Sequence, residues 1–84
     1  MMDDLDKDVR RHLLRKMHKM GCWGKHHISE SNLPKGFPTH LHKKVIETAY
    51  DLKKQGILVS FPTNHDRQWF LNPQRRQEIE EIIR

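Results

Sequence analysis

The stretch LPKGFPTHLHKKV, at residues 33–45, places a bend directly before a group of polar and basic side chains. Hydroxyl, imidazole and ammonium groups can all donate hydrogen bonds to anions, and an ammonium also supplies charge. The side chains that could do this chemistry are Thr39, His40, Lys43 and Lys44, with Glu47 one turn further on. The secondary-structure elements on either side of the bend determine which of these side chains can contact the same ligand.

The seven His and the single Cys are the side chains that could bind a metal or act as a nucleophile. Cys22, His26 and His27 are close in sequence, but no Cys-x-x-Cys or His-x-x-x-His pair is present, and such pairs are typical of zinc sites. On a helix, His40 and His42 would diverge by about 200°. A Cys-His nucleophile pair would also need an oxyanion loop, and none is visible, so Cys22 is expected to be a small buried residue. We therefore expect no metal, no cofactor and no enzymatic activity.

The whole chain has a formal net charge of +5, and its basic residues are concentrated in its first half. Residues 10–44 carry nine Lys or Arg against one acidic residue, whereas residues 1–9 are acidic and residues 45–84 are balanced. Six of the seven His also lie in the first half, where protonation would add positive charge. This asymmetry favours a polyanionic partner, with a solvated basic surface as the alternative.

Length and composition indicate one domain over residues 1–84. A single Cys allows no disulfide within the chain, which agrees with a reducing compartment. No stretch approaches the roughly 20 apolar residues that span a membrane, and the opening MMDDLDKDVRR contains no apolar signal segment. We therefore expect a cytoplasmic protein with no membrane partner.

The first predicted helix covers about residues 4–20 and ends at Gly21. Its apolar stripe is formed by Leu5, Val9, Leu13, Met17 and Met20. The opposite face carries Arg11 and Arg15, which could contact a phosphate backbone or solvent. Residues 25–28 are expected to form a brief strand or an extended link before the bend.

Two further helices are predicted around the bend. Ser29 can cap a short second helix of about two turns, which is kinked near Pro34 and ends at Gly36. Pro38 suits the first turn of a third helix over about 38–55, which ends at Gly56. The apolar face of this third helix is formed by Leu41, Val45, Ala49 and Leu52, which leaves Thr39, His40, Lys43, Lys44 and Glu47 outside it.

The stretch ILVSFPTNHDRQWFL, at residues 57–71, predicts a β-hairpin with a polar tip. Ile57, Val59 and Phe61 are expected on one side of its first strand, and the apolar pattern resumes with Trp69 and Leu71. Trp69 and Phe70 must lie on opposite faces of the second strand, so one of them should be more exposed.

The end of the chain predicts a final helix. Asn72 is a favourable cap residue, and Pro73 suits the first turn of a helix. Ile79, Ile82 and Ile83 would form its buried stripe.

The predicted order of elements resembles the winged helix-turn-helix. The likeness covers about residues 4–84 and rests on LPKGFP as the turn, THLHKKVIETAYDLKKQG as the recognition helix and ILVSFPTNHDRQWFL as the wing. The passage LKKQGIL leads directly from helix to hairpin, as is common in that family, and FLNP looks like the ending of small uncharacterised archaeal winged-helix proteins. The resemblance implies an α+β fold with a three-helix core, a β-hairpin wing and a final helix.

The resemblance also implies a function for the third helix, because winged-helix proteins usually place it in the major groove of DNA. Lys can donate to guanine or phosphate, Thr and His can bond to either, and Glu can accept from cytosine. By this likeness the DNA-binding residues would be Thr39, His40, Lys43, Lys44 and Glu47 in the helix, Asn64, His65 and Arg67 in the hairpin, and Arg11 and Arg15 in the first helix.

The sequence thus predicts a module that binds double-stranded DNA, used in transcriptional regulation. A homodimer would suit such a role, because one small domain covers little DNA. The alternative is a winged-helix module that contacts RNA or another protein. Under that alternative, Lys43 and Lys44 belong to the solvated face of an amphipathic helix.

Overall fold

The computed structural model describes residues 3–84 and has an α+β fold, which confirms the predicted class. The helices are α1 (Asp4–Lys19), α2 (His42–Lys54) and α3 (Arg76–Ile83), and the strands are β1 (Ile28–Ser29), β2 (Leu58–Phe61) and β3 (Gln68–Leu71). Single 3₁₀ turns occur at Glu30–Asn32, Thr39–Leu41 and Pro73–Arg75. The three strands form one antiparallel sheet in the order β1-β3-β2.

Helix α1 lies at the centre of the fold and packs against α2, α3 and β3. Its first turn is capped by Asp3, whose carboxylate accepts a hydrogen bond from the N–H of Asp6 at 2.8 Å. The side chains that it buries are Val9, Leu13, Leu14 and Met17. Leu5 and Met20 were predicted for this stripe but are exposed, because they lie at the two ends of the helix.

The region predicted as a second α-helix contains only the 3₁₀ turn Glu30–Asn32 and the turns that follow it. Pro34 lacks an N–H, and Gly36 adopts the left-handed conformation at φ +92°, so a regular helix cannot continue through this segment. Ser29 makes no side-chain capping bond to the turn; its hydroxyl instead accepts a hydrogen bond from the Asn32 amide. The described residues therefore contain three α-helices.

The sheet has one buried face and one open face. Trp69, which is 0% exposed, lies opposite Ile28 on one side and Ser60 on the other, and Leu71 lies opposite Leu58. Val59 and Phe61, which were expected on one side of the first strand together with Ile57, do share a side, but it is not the side of Trp69. They alternate with Leu58, so they lie on the open face.

The remaining elements agree with the sequence pattern. The side chain of Asn72 accepts a hydrogen bond from the N–H of Gln74 at 3.0 Å, which caps the turn that leads into α3. Ile79 is fully buried, and Ile82 and Ile83 pack at the edge of the core. Gly56 ends the segment after α2 at φ +79°, a conformation that favours glycine.

Candidate nucleic-acid interface

The bend before α2 is fixed by hydrogen bonds of its own backbone and by His42. The N–H of Phe37 donates to the carbonyl of Pro34 at 3.0 Å, and the N–H of Leu41 donates to the carbonyl of Pro38 at 2.9 Å. The Nε2 atom of His42 lies 3.0 Å from the carbonyl oxygen of Phe37. The half-buried His42 thus holds the bend, while His40 remains exposed on the preceding turn.

Lys16 anchors the segment before the bend to α1. Its ammonium donates to the carbonyl oxygens of Asn32, Leu33 and Lys35 at 2.7, 3.0 and 2.7 Å. Burial lowers the pKa of Lys16, and the nearby charge of Lys35 acts in the same direction. The sequence interpretation counted Lys16 only as a charge. Its position directly before the buried Met17, at the edge of the apolar stripe, is the signal that could have identified it.

Three of the predicted DNA-binding residues lie together at the exposed start of α2. Thr39, His40 and Lys43 are exposed, and none has a side-chain hydrogen bond or ion pair within residues 3–84. Glu47 is exposed one turn later on the same helix. This end of α2 therefore presents a hydroxyl, an imidazole and an ammonium that are free to bind a ligand.

Lys44 differs from Lys43 because it is paired with α1. Its Nζ lies 2.5 Å from Oδ1 of Asp6, and both side chains are about one-quarter to one-third exposed. The bond lowers the pKa of Asp6 and raises that of Lys44. The charge of Lys44 is therefore already neutralised by a carboxylate from another helix, and a phosphate would have to compete with Asp6.

The tip of the β2–β3 hairpin exposes Asn64 and His65. The turn beneath them is closed by hydrogen bonds in both directions between Thr63 and Asp66. One carboxylate oxygen of Asp66 accepts from the N–H of Ser31 at 3.0 Å, and the bond from Ser31 lowers the pKa of Asp66. The tip is thus tied to the turn that follows β1.

Arg67 lies on the same side of the hairpin as α2. It alternates with Gln68 and therefore shares the side of Trp69, and its guanidinium donates to the Ser60 hydroxyl at 2.9 Å. Its positive charge also acts to lower the pKa of the phenol of Tyr50, a residue of α2. Arg67 is half-buried, so it faces the junction of helix and hairpin.

A shared carboxylate at this junction was not anticipated from the sequence. Oε1 of Glu30 accepts from the Tyr50 hydroxyl at 2.8 Å and from the indole N–H of Trp69 at 3.1 Å. The two rings meet edge to face, with centroids 5.1 Å apart. The bond to Glu30 raises the pKa of Tyr50. Glu30 thus joins α2 to β3 and holds the hairpin against the helix.

Arg11 and Arg15 do not join this group. The guanidinium of Arg11 donates to the backbone oxygen of Arg84 at 2.6 Å, and that of Arg15 donates to the carbonyl of Ile83 at 2.5 Å. On α1 they lie about 140° and 180° around the axis from Asp6, which faces α2. They therefore form a separate surface with α3, where Arg76 also stacks 3.9 Å from the ring centre of Trp23.

Residues 3–84 contain no group of three or more His, Cys, Asp or Glu side chains placed to hold a metal ion. Cys22 is buried, as expected, and burial raises the pKa of its thiol, which disfavours the reactive thiolate. None of the helices in this range has the length and apolar character needed to cross a membrane.

Comparison with protein-family models, with curated proteins and with solved structures found no match to this chain.

Proposed function

We propose that this chain binds double-stranded DNA as a winged-helix domain in which the 3₁₀ turn Glu30–Asn32 takes the place of the second helix, with α2 in the major groove and the β2–β3 hairpin as the wing. The observation that carries the proposal is the free polar surface formed by the start of α2 and the 3₁₀ turn before it, where Thr39, His40 and Lys43 are exposed and unpaired within the described residues. An α-helix fits the major groove, and residues near its N-terminus reach the base edges in helix-turn-helix proteins.

The topology supports this arrangement. Helix α2 leads through Gly56 directly into the hairpin, and β1 adds a third strand in the order β1-β3-β2. The bonds that Glu30 makes to Tyr50 and Trp69 hold the helix and the hairpin in one orientation. A fixed relation between the two elements favours simultaneous contact with adjacent parts of a duplex, because less entropy is lost on binding.

Within this proposal the residues take distinct roles. His40, in the turn before α2, and Lys43, in α2, reach base edges or phosphates. Asn64 and His65 contact the DNA backbone from the hairpin tip. Lys44 contributes only when phosphate displaces Asp6. Arg11 and Arg15 take no part in this face, because they are bound to the end of α3 on the other side of α1. We propose that this DNA binding serves transcriptional regulation.

A salt titration tests the proposal. A labelled duplex of random sequence is titrated with the protein at several salt concentrations, with fluorescence anisotropy as the measurement. Each phosphate that the protein neutralises should contribute about −0.9 to the slope of log affinity against log salt. The proposal expects measurable binding at low salt and a steep negative slope. Absence of binding to duplex at low salt would overturn it.

A further inference from the structure

The open face of the sheet carries an aromatic cluster that the proposed duplex contact does not use. Phe61 and Phe70 lie on this face, with ring centroids 6.2 Å apart, and His27 stands edge-on to Phe61 at 5.3 Å. Phe61 is 36% exposed. The cluster faces away from the buried side of the sheet that carries Trp69 and Leu71, so it is separate from the core.

The aromatic rings are held in place by their neighbours. Nδ1 of His27 lies 2.9 Å from Oε1 of Gln68. Gln68 is on β3, directly opposite Phe61 on β2. Phe61 is thus flanked by His27 and Phe70, and both contacts limit the orientations that its ring can adopt. A rigid exposed ring loses little conformational entropy when a flat partner stacks on it.

The charge around the cluster favours an anionic partner. Lys25 and His26 are exposed and directly precede His27. None of the cross-strand positions on the open face, Ser29, Val59, Phe61, Gln68 and Phe70, is acidic. Fixed aromatic rings beside a cation are the arrangement by which proteins hold single-stranded nucleic acid, because bases stack on the rings while cations follow the backbone.

We infer that the open sheet face binds single-stranded nucleic acid through stacking of an unpaired base on Phe61, with Lys25 beside the backbone. The inference does not depend on the duplex contact of α2, since the two surfaces are formed by different side chains. The side-chain amide nitrogen of Gln68, the residue opposite Phe61, can donate hydrogen bonds at a base edge. Ribose and deoxyribose strands share this stacking chemistry.

The test measures the affinity of Phe61→Ala for labelled oligo(dU), oligo(U) and an abasic strand of equal length, by fluorescence anisotropy. Loss of one stacked base should weaken binding to both base-bearing strands by roughly 5- to 150-fold. The abasic strand should be bound equally by variant and wild type, because it offers only charge. Oligo(dU) and oligo(U) carry the same base, so a difference between their values identifies the sugar that the face prefers.

Matched variants make the result specific. Leu5→Ala removes another exposed apolar side chain, 46% exposed on α1, and should leave strand binding unchanged. Phe61→Tyr keeps the ring and should retain binding, whereas His40→Ala should affect duplex binding only. Equal affinity of wild type and Phe61→Ala for the base-bearing strands would overturn the inference. A change from dimer to monomer in Phe61→Ala, without loss of strand binding, would also overturn it and assign the face to contact between copies.

Discussion

The ammonium of Lys44 lies 2.5 Å from a carboxylate oxygen of Asp6, so one of the two adjacent lysines on α2 is neutralised within the protein. Lys43, its neighbour in sequence, is exposed and has no ion-pair partner within the described residues. Two lysines that look equivalent in the sequence are therefore unequal as binding groups.

Replacing Asp6 by Asn should increase the affinity for duplex DNA, because it frees Lys44 to bind a phosphate. The slope of log affinity against log salt should become steeper by about 0.9 if one more phosphate is neutralised. Asp8→Asn is the control, since it removes the same charge from an exposed position of the same helix. Equal effects of the two variants would mean that Lys44 does not contact DNA and that only the overall charge matters.

Lys16→Met should destabilise the fold by about 1 to 2 kcal/mol. The substitution keeps an apolar stem of similar length but leaves the carbonyls of Asn32, Leu33 and Lys35 without their ammonium donor. Urea unfolding followed by circular dichroism measures the effect. Lys19→Met removes an exposed lysine from the same helix and should change stability by less than about 0.5 kcal/mol. Similar losses of stability in both variants would show that the three hydrogen bonds of Lys16 do not stabilise the fold.

The hydroxyl of Tyr50 should ionise above its ordinary pKa, because it donates a hydrogen bond to Glu30. The stability from this bond is fully present below pH 10.0, the ordinary pKa of a Tyr phenol, and is lost as the pH rises through the raised pKa of the folded protein. Tyr50 is the only Tyr in the chain, so phenolate absorbance reports it alone. Glu30→Gln should move the midpoint back toward 10.0. A wild-type midpoint at or below that value, in protein that is still folded, would contradict the bond.

Much of the fold could be predicted from local patterns. The spacing of Val9, Leu13 and Met17 identified α1, and the pair Asn72-Pro73 marked the start of the last helical segment. Such features depend on neighbours a few residues away, and their physical causes are visible in the sequence. The opposite placement of Trp69 and Phe70 was confirmed for the same reason.

The side of the sheet that β2 buries could not be predicted in the same way. Apolar residues occupy both alternating sets of this strand, Leu58 on one side and Val59 and Phe61 on the other, so alternation alone leaves the choice open. The pairing of Leu58 with Leu71 decides it. The contacts Lys44–Asp6 and Tyr50–Glu30 likewise depend on packing between distant segments, which no local pattern encodes.

The most direct test of the proposed function asks whether the start of α2 recognises sequence or only attracts phosphate. His40→Ala and Lys43→Ala are compared with Lys19→Ala on a duplex selected from a random pool and on random duplex. Removal of a base contact should cost about 1 to 3 kcal/mol on the selected duplex and much less on the random one, whereas Lys19→Ala should affect both equally or not at all. Equal losses on the two duplexes for His40→Ala and Lys43→Ala would contradict groove recognition by α2.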